Sequence, residues 1–68
     1  MQEKQLQISL AAARVNAGMT QEEVSKVLHV TKNTIVAWEK GNTEPGITQA
    51  RKLSELYNIP MNNIFFGA

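Results

Sequence analysis

The stretch TQEEVSKVLHVTKNTIVAWEKG, residues 20–41, decides the fold of this 68-residue chain. Its apolar residues recur at helical spacing and do not alternate, which favours helices over strands. Thr20 and Glu23 have the T-x-x-E spacing of a capping box, which starts a helix by satisfying two backbone amides. The stretch therefore predicts two short helices, about 21–28 and 32–40, joined by a tight turn.

The second of these helices begins after Thr31, a good N-cap residue, and ends at Gly41, where a positive φ costs little. His29 and Val30 form the turn that precedes it. On the first helix the apolar spacing predicts three inward side chains: Val24, Val27 and Leu28.

A further helix precedes this pair. Ser9 is a fair N-cap, and the alanine-rich segment after it favours helix as far as about Ala17. Gly18 follows the last turn of this helix. The predicted inward face follows helical spacing: Leu10, Ala13, Arg14 and Ala17.

The C-terminal third predicts two more helical segments, one from about Thr48 to Tyr57 and a last turn from Met61 to Phe65, which Pro60 opens. Asn58 is expected to end the longer one. The side chains expected in the core are Ala50, Leu53, Leu56, Tyr57, Ile64 and Phe65. The predicted fold is all-α, with five short helices and no sheet.

Length and composition exclude several classes of protein. A chain of 68 residues makes one domain, and it buries only about 60% of the surface that its unfolded form exposes. The absence of cysteine excludes disulfides and thiolate metal sites. No apolar run approaches the roughly 20 residues that span a bilayer, and the N-terminus has no signal-peptide core. We therefore expect a cytoplasmic protein without membrane contact, metal or cofactor; if it binds DNA, it should be associated with the nucleoid.

The charge balance is close to neutral, with seven basic and six acidic residues and a net charge of +1. A strongly basic composition, the usual sign of nucleic-acid binding, is missing. Any affinity for nucleic acid must therefore depend on where the charges lie. The near-neutral net charge also predicts that one copy binds DNA with modest affinity, so that dimerisation is needed.

The third helix has two unlike faces. Ile35 and Trp38, three residues apart, share a side and should point into the core. The other side carries Lys32, Asn33, Val36, Ala37 and Lys40. Lysine can donate to guanine, asparagine can pair with adenine, and small apolar groups can touch a thymine methyl. That face suits a DNA major groove, although an ordinary solvated helix face remains the alternative.

Two charged features accompany this face. The free amides and the dipole at the start of the second helix, at Gln21 and Glu22, favour an anion, but an ordinary exposed first turn explains them equally well. Arg14 lies on the inward face of its helix, and Glu39 follows Trp38. Because buried charges must be paired, we expect Arg14 and Glu39 to form a structural salt bridge; the alternative is that both side chains reach solvent.

Taken together, these residues resemble a known family. The resemblance rests on Arg14, G-x-T-Q at 18–21, V-T-K-N-T-I-x-x-W-E-K-G at 30–41 and E-P at 44–45. It covers about residues 8–66 and is to the lambda-repressor-like (Cro/C1-type, XRE family) helix-turn-helix domain. It implies a DNA-binding domain over 8–66, preceded by a flexible segment, 1–7.

The resemblance also implies the roles of individual residues. The helix-turn-helix would be formed by the second and third helices, and the third would enter the major groove. The expected base-contacting residues, with Val36 added from the face itself, are Thr31, Lys32, Asn33, Val36 and Ala37. The expected phosphate-contacting residues are Thr20, Gln21, Lys40, Asn42 and Thr43. The family's Arg–Glu bridge falls on Arg14 and Glu39.

The sequence departs from the family pattern at three positions. His29 stands where the turn usually has glycine, and His tolerates a left-handed conformation better than most residues. Ser25 replaces the usual alanine at a close helix contact. Ala37 replaces a common polar base reader, which leaves Lys32 and Asn33 as the main readers.

These observations favour a sequence-specific, double-stranded DNA-binding transcriptional regulator of prokaryotic or phage type, which reads an operator as a homodimer. Phe66 is the preferred dimer contact, because Ile64 and Phe65 are expected in the core. The alternative is a protein-interaction or antitoxin-like module that uses the same helical face. An enzyme is disfavoured because no nucleophile–base pair, phosphate-binding glycine loop or metal cluster is present.

Overall fold

In the computed structural model, which describes residues 7–66, four α-helices surround one core. They are α1 (Leu10–Asn16), α2 (Gln21–Leu28), α3 (Lys32–Lys40) and α4 (Ile47–Tyr57). A short strand β1 (Ile8–Ser9) precedes α1. A 3₁₀ turn (Met61–Asn63) and a strand β2 (Ile64–Phe65) follow α4.

Three of the helices begin with the caps that the sequence predicts. The Ser9 hydroxyl accepts from the Ala12 amide at 3.1 Å. Thr20 and Glu23 form the capping box in both directions. Thr31 caps α3. Because each cap satisfies an amide that the helix itself leaves unpaired, the starts of α1, α2 and α3 are set by local sequence.

Left-handed residues end α2, α3 and α4. They are His29 at φ 59°, Gly41 at φ 79° and Asn58 at φ 57°. After each one the next amide donates to a carbonyl one and a half turns back, as from Val30 to Ser25 at 3.0 Å. This closure reverses the chain sharply after α2 and leads it into α3.

The core contains one cluster of buried side chains to which every α-helix contributes. Its members are Leu10, Ala13, Val24, Leu28, Ile35, Trp38, Leu53, Tyr57 and Ile64. Ala50 is buried as predicted, and Leu56 is half-buried against the cluster. Ile35 and Trp38 are 2% and 6% exposed, so α3 is held by one side only.

The prediction of five helices and no sheet is wrong. Residues 7–66 contain four α-helices, and the fifth predicted segment is a single 3₁₀ turn followed by β2. β2 pairs in parallel with β1, with Ile8 opposite Ile64 and Ser9 opposite Phe65. The backbone of β2 therefore bonds to a strand at the other end of the chain, and not along a helix of its own.

Phe65 and Phe66 exchange the places expected of them. Phe65 is 46% exposed, whereas Phe66 is half-buried and packs against the core. The reason is the extended backbone of β2, in which neighbouring side chains point to opposite faces. Ile64 takes the buried face, so Phe65 must take the other.

Two inward predictions on the first helices are also wrong. Val27 is 51% exposed, whereas Ser25 is buried, with its hydroxyl donating to the Glu22 carbonyl at 2.7 Å. Ala17 is exposed because α1 ends at Asn16 and the chain turns away at Gly18.

Candidate nucleic-acid interface

The first turn of α3 is fixed by two threonines. The Thr31 hydroxyl accepts from the Thr34 amide at 3.2 Å, and the two hydroxyls share a hydrogen bond of 3.0 Å. This holds the exposed side chains of Lys32 and Asn33 on a regular helix and not on a loop. Groups that must meet base edges in register are better held this way.

The expected base-contacting residues all reach the surface. Thr31, Lys32 and Asn33 are exposed, and Val36 and Ala37 are half-exposed. Thr31 caps α3, and the other four lie on the helix outside the buried side that Ile35 and Trp38 form; we call these five residues the α3 face. Chemically it offers a cation, an amide that can both donate and accept, and small apolar groups. These are the groups that distinguish base pairs in a major groove.

The acid of α3 is kept off this face. Glu39 turns toward α1, where its Oε2 accepts from Arg14 Nε at 2.7 Å and its Oε1 from Arg14 Nη2 at 3.3 Å. The Glu39 side chain is only 8% exposed. The hydrogen bond to Glu39 raises the pKa of Arg14 above its ordinary value. A phosphate near α3 would therefore meet a neutral pair and not a bare carboxylate.

Arg14 also reaches the segment before α2. Its Nη1 donates to the Met19 carbonyl at 3.0 Å. The structure thus brings together the two residues that the sequence paired, and it adds a third partner that sequence reasoning missed. No pattern in the sequence identifies a backbone carbonyl as an arginine partner, since the contact depends on how the chain turns at Gly18.

Gln21, expected to contact phosphate, is the first residue of α2 and lies beside this pair. Its Nε2 donates to Glu39 Oε1 at 3.0 Å. That hydrogen bond joins the start of α2 to the end of α3. The sequence analysis did not predict it. Thr20, the other expected contact at this end, already uses its amide and hydroxyl in the capping box.

The other expected phosphate contacts lie where α3 ends. Lys40, Asn42 and Thr43 are all exposed. The Asn42 amide donates to the Ala37 carbonyl at 3.0 Å, so the backbone is engaged in closing the helix and the side chains face outward. Lys40 supplies the cation at this end of the α3 face, and Lys32 supplies the one at its start.

Tyr57 borders the Arg14–Glu39 pair from α4. Burial raises the pKa of Tyr57 to about 12, with a further increase from the Glu39 carboxylate and a decrease from the Arg14 guanidinium. The buried phenol therefore keeps its proton at a pH at which an exposed tyrosine would lose it.

Other kinds of site are not found in the part of the chain that the structure describes. No group of three His, Cys, Asp or Glu residues among 7–66 is placed to hold a metal ion. None of the helices described is both long enough and apolar enough to cross a membrane.

The arrangement of α2, the left-handed turn and α3 is the feature by which the chain can be compared with known proteins. The family model described as helix-turn-helix matches residues 10–64. The chain belongs to this helix-turn-helix family. The matched segment begins at α1 and ends in β2, so it covers all four helices of the described structure.

Relatives of this helix-turn-helix protein occur in archaea and bacteria. An uncharacterised HTH-type transcriptional regulator of Archaeoglobus fulgidus is 38% identical over 52 residues, covering 76% of this chain and 74% of that protein. The cryptic phage CTXphi transcriptional repressor RstR of Vibrio cholerae is 40% identical over 48 residues, covering 71% of this chain and 43% of the repressor. The HTH-type transcriptional regulator YgzD of Bacillus subtilis is 30% identical over 53 residues, covering 78% and 80%. No solved structure gives a significant match.

Proposed function

We propose that this chain is a transcriptional regulator that binds double-stranded DNA in a sequence-specific manner, with α3 in the major groove. The observation that carries the proposal is the α3 face. It combines exposed Lys32 and Asn33 with half-exposed Val36 and Ala37, while the acid of the same helix, Glu39, is paired with Arg14. The family and the regulators and repressor among its relatives support the same function.

The base-contacting residues fall into a polar and an apolar group. Lys32, at the start of α3, donates to guanine O6 or N7, and Asn33 pairs in a bidentate way with adenine. Val36 and Ala37 lie farther along the helix and contact thymine methyl groups. Thr31 lies at the tip, where its hydroxyl is within reach of a base or a phosphate. Polar readout therefore depends mainly on Lys32 and Asn33.

The DNA backbone is gripped on both sides of the α3 face. Gln21 and Thr20 contact phosphate at the start of α2, where backbone amides and the helix dipole favour an anion. Thr20 does so through its hydroxyl proton, because the capping box uses its hydroxyl oxygen only as an acceptor. Lys40, Asn42 and Thr43 contact phosphate where α3 ends. These contacts set the orientation of the domain, whereas the bases set its preference for a sequence.

A homodimer on DNA completes the proposal. A single domain of net charge +1 makes few cationic phosphate contacts, so two copies on half-sites about one helical turn apart are needed for useful affinity. Phe65, exposed on β2, replaces Phe66 as the proposed contact between copies. Residues 8–66 form the binding domain, and the flexible segment proposed for 1–7 lies, except for Gln7, outside the described residues. A regulator of this kind acts where the chromosome is, in the cytoplasm of a prokaryotic cell.

The test is selection from a pool of random duplexes, followed by affinity measurements on the selected and a scrambled duplex at several salt concentrations. We expect one recurring half-site, a preference over the scrambled duplex of at least a thousandfold, in line with specific binders generally, and affinity that falls steeply with salt. A pool that yields no recurring sequence would contradict the proposal.

A further inference from the structure

We propose that Glu39 is a positioning residue for the phosphate contact of Gln21. In this proposal, which rests on the proposed function, a chain of hydrogen bonds from Arg14 through Glu39 to Gln21 aims the Gln21 amide at the DNA backbone. Glu39 thus serves DNA binding without touching DNA. Its role is separate from the support that the Arg14–Glu39 pair gives the fold.

The geometry restricts the Gln21 side chain at a single atom. Gln21 Nε2 lies 3.0 Å from Glu39 Oε1, and Gln21 is half-buried. The Glu39 carboxylate cannot move to follow it, because both of its oxygens accept from Arg14, at 2.7 and 3.3 Å. Arg14 is itself fixed to the Met19 carbonyl at 3.0 Å. A flexible surface side chain is thereby tied to the scaffold.

What remains on Gln21 is suited to an anion. A glutamine amide has two N–H groups, and only one is needed for the bond to Glu39. The second one and the backbone N–H of this first helical residue stay available, because the capping box uses the amides of Thr20 and Glu23 instead. Since the side chain is ordered before DNA arrives, less conformational entropy is lost when it binds.

Charge explains why a carboxylate can serve this role beside a phosphate. The Arg14 guanidinium neutralises Glu39, and the Glu39 side chain is 8% exposed. The group presented outward is therefore the neutral amide of Gln21. A neutral donor releases no counterion from DNA, so its contribution to affinity should not depend on salt.

The first measurement compares Gln21→Ala with Lys40→Ala on the selected duplex. We expect Gln21→Ala to weaken binding about tenfold, as for loss of a hydrogen bond to a charged group, with an unchanged salt slope. Lys40→Ala should reduce that slope by about 0.9. Binding by Gln21→Ala equal to that of the parent would overturn the proposal, because no contact would then exist to be positioned.

The second measurement asks whether Glu39 acts through Gln21. Glu39→Asp keeps a carboxylate that neutralises Arg14 but withdraws it from α2 by one methylene. In this background we expect Gln21→Ala to weaken binding less than twofold, whereas Asn42→Ala, a matched contact without a bond to Glu39, costs the same factor as in the parent. An undiminished tenfold effect of Gln21→Ala, with all variants folded by circular dichroism, would overturn the proposal.

The third measurement does not depend on the folding of variants. Nuclear magnetic resonance of the parent protein without DNA should show a Gln21 side-chain amide with restricted motion and one proton in a hydrogen bond. A Gln21 amide that reorients freely would overturn the proposal even if the protein binds its operator. If the parent prefers no duplex, the proposed function fails first, and the binding assay alone identifies that failure.

Discussion

His29 holds the turn between α2 and α3 at a cost. It adopts φ 59°, where a residue with a Cβ is strained by about 1–2 kcal/mol. Glycine removes this strain but adds about 0.5–1 kcal/mol of backbone entropy loss. We therefore predict that His29→Gly raises the free energy of unfolding by about 0.5–1 kcal/mol in urea titrations, without changing DNA affinity. His29→Ala is the control and should gain nothing. An unchanged or lower free energy of unfolding for His29→Gly would show that His29 is not strained in this conformation.

The raised pKa of Tyr57 makes the stability of the fold depend on pH in the alkaline range. Its pKa is about 12 in the folded chain against 10.0 as the ordinary value. Between these pH values the unfolded chain releases the proton and the folded chain keeps it, so the stability present in full below pH 10 is lost as the pH rises toward 12. Ultraviolet titration measures this directly, because the chain has one tyrosine. The folded protein should titrate near 12 and the urea-unfolded protein near 10, whereas Tyr57→Phe should lack this part of the pH dependence. Coincident titrations would show that the phenol is not held neutral.

The connection between α1 and α3 depends on Glu39. The Arg14–Glu39 pair connects α1 to the end of α3, and both side chains are largely buried, at 16% and 8% exposure. Removing one partner of such a pair leaves the other uncompensated, so we predict that Glu39→Ala lowers the free energy of unfolding by about 3 kcal/mol. Glu44→Ala is the matched control, since Glu44 is exposed and should change stability by less than about 0.5 kcal/mol. Equal melting temperatures for the Glu39 variant and the parent would show that the Arg14–Glu39 pair does not stabilise the fold.

The elements that could be predicted from the sequence are those formed by interactions between residues close together in the chain. The starts of α1 to α3 depend on Ser9, Thr20 and Thr31, which bond to amides three residues away, so a local pattern suffices. The family resemblance paired Arg14 with Glu39, and burial gave the same pairing. Helix-turn-helix membership followed from the same local patterns and is supported by the family match.

What could not be predicted depends on distant parts of the chain. β2 is a strand only because Ile64 pairs with Ile8, and this pairing decides that Phe65 is exposed and Phe66 is not. The bond from Gln21 to Glu39 likewise requires the angle between α2 and α3. Apolar spacing placed Val27 inward, but it could not show that the buried side of α2 includes Ser25 beside Val24 and Leu28 and leaves Val27 exposed.

The whole molecule is small, and within residues 7–66 the exposed large apolar side chains are Val15, Val27, Ile47 and Phe65. Phe65 is the proposed contact between copies, so we predict that Phe65→Ser shifts the protein toward monomer in sedimentation equilibrium and weakens operator binding. Val27→Ser, also exposed, should do neither. A Phe65 variant that associates as strongly as the parent would move the dimer contact elsewhere.

In the proposed complex the α3 face contacts the base edges and sets the preferred DNA sequence. The most direct measurement determines affinity for the selected duplex and for every single base-pair change in one half-site, using the parent, Lys32→Ala, Asn33→Ala and the off-face control Lys52→Ala. We predict that each reader variant loses about 1–3 kcal/mol of discrimination at its own position, guanine for Lys32 and adenine for Asn33, while the control keeps the parent profile. Base preferences that are unchanged in both reader variants would contradict the account.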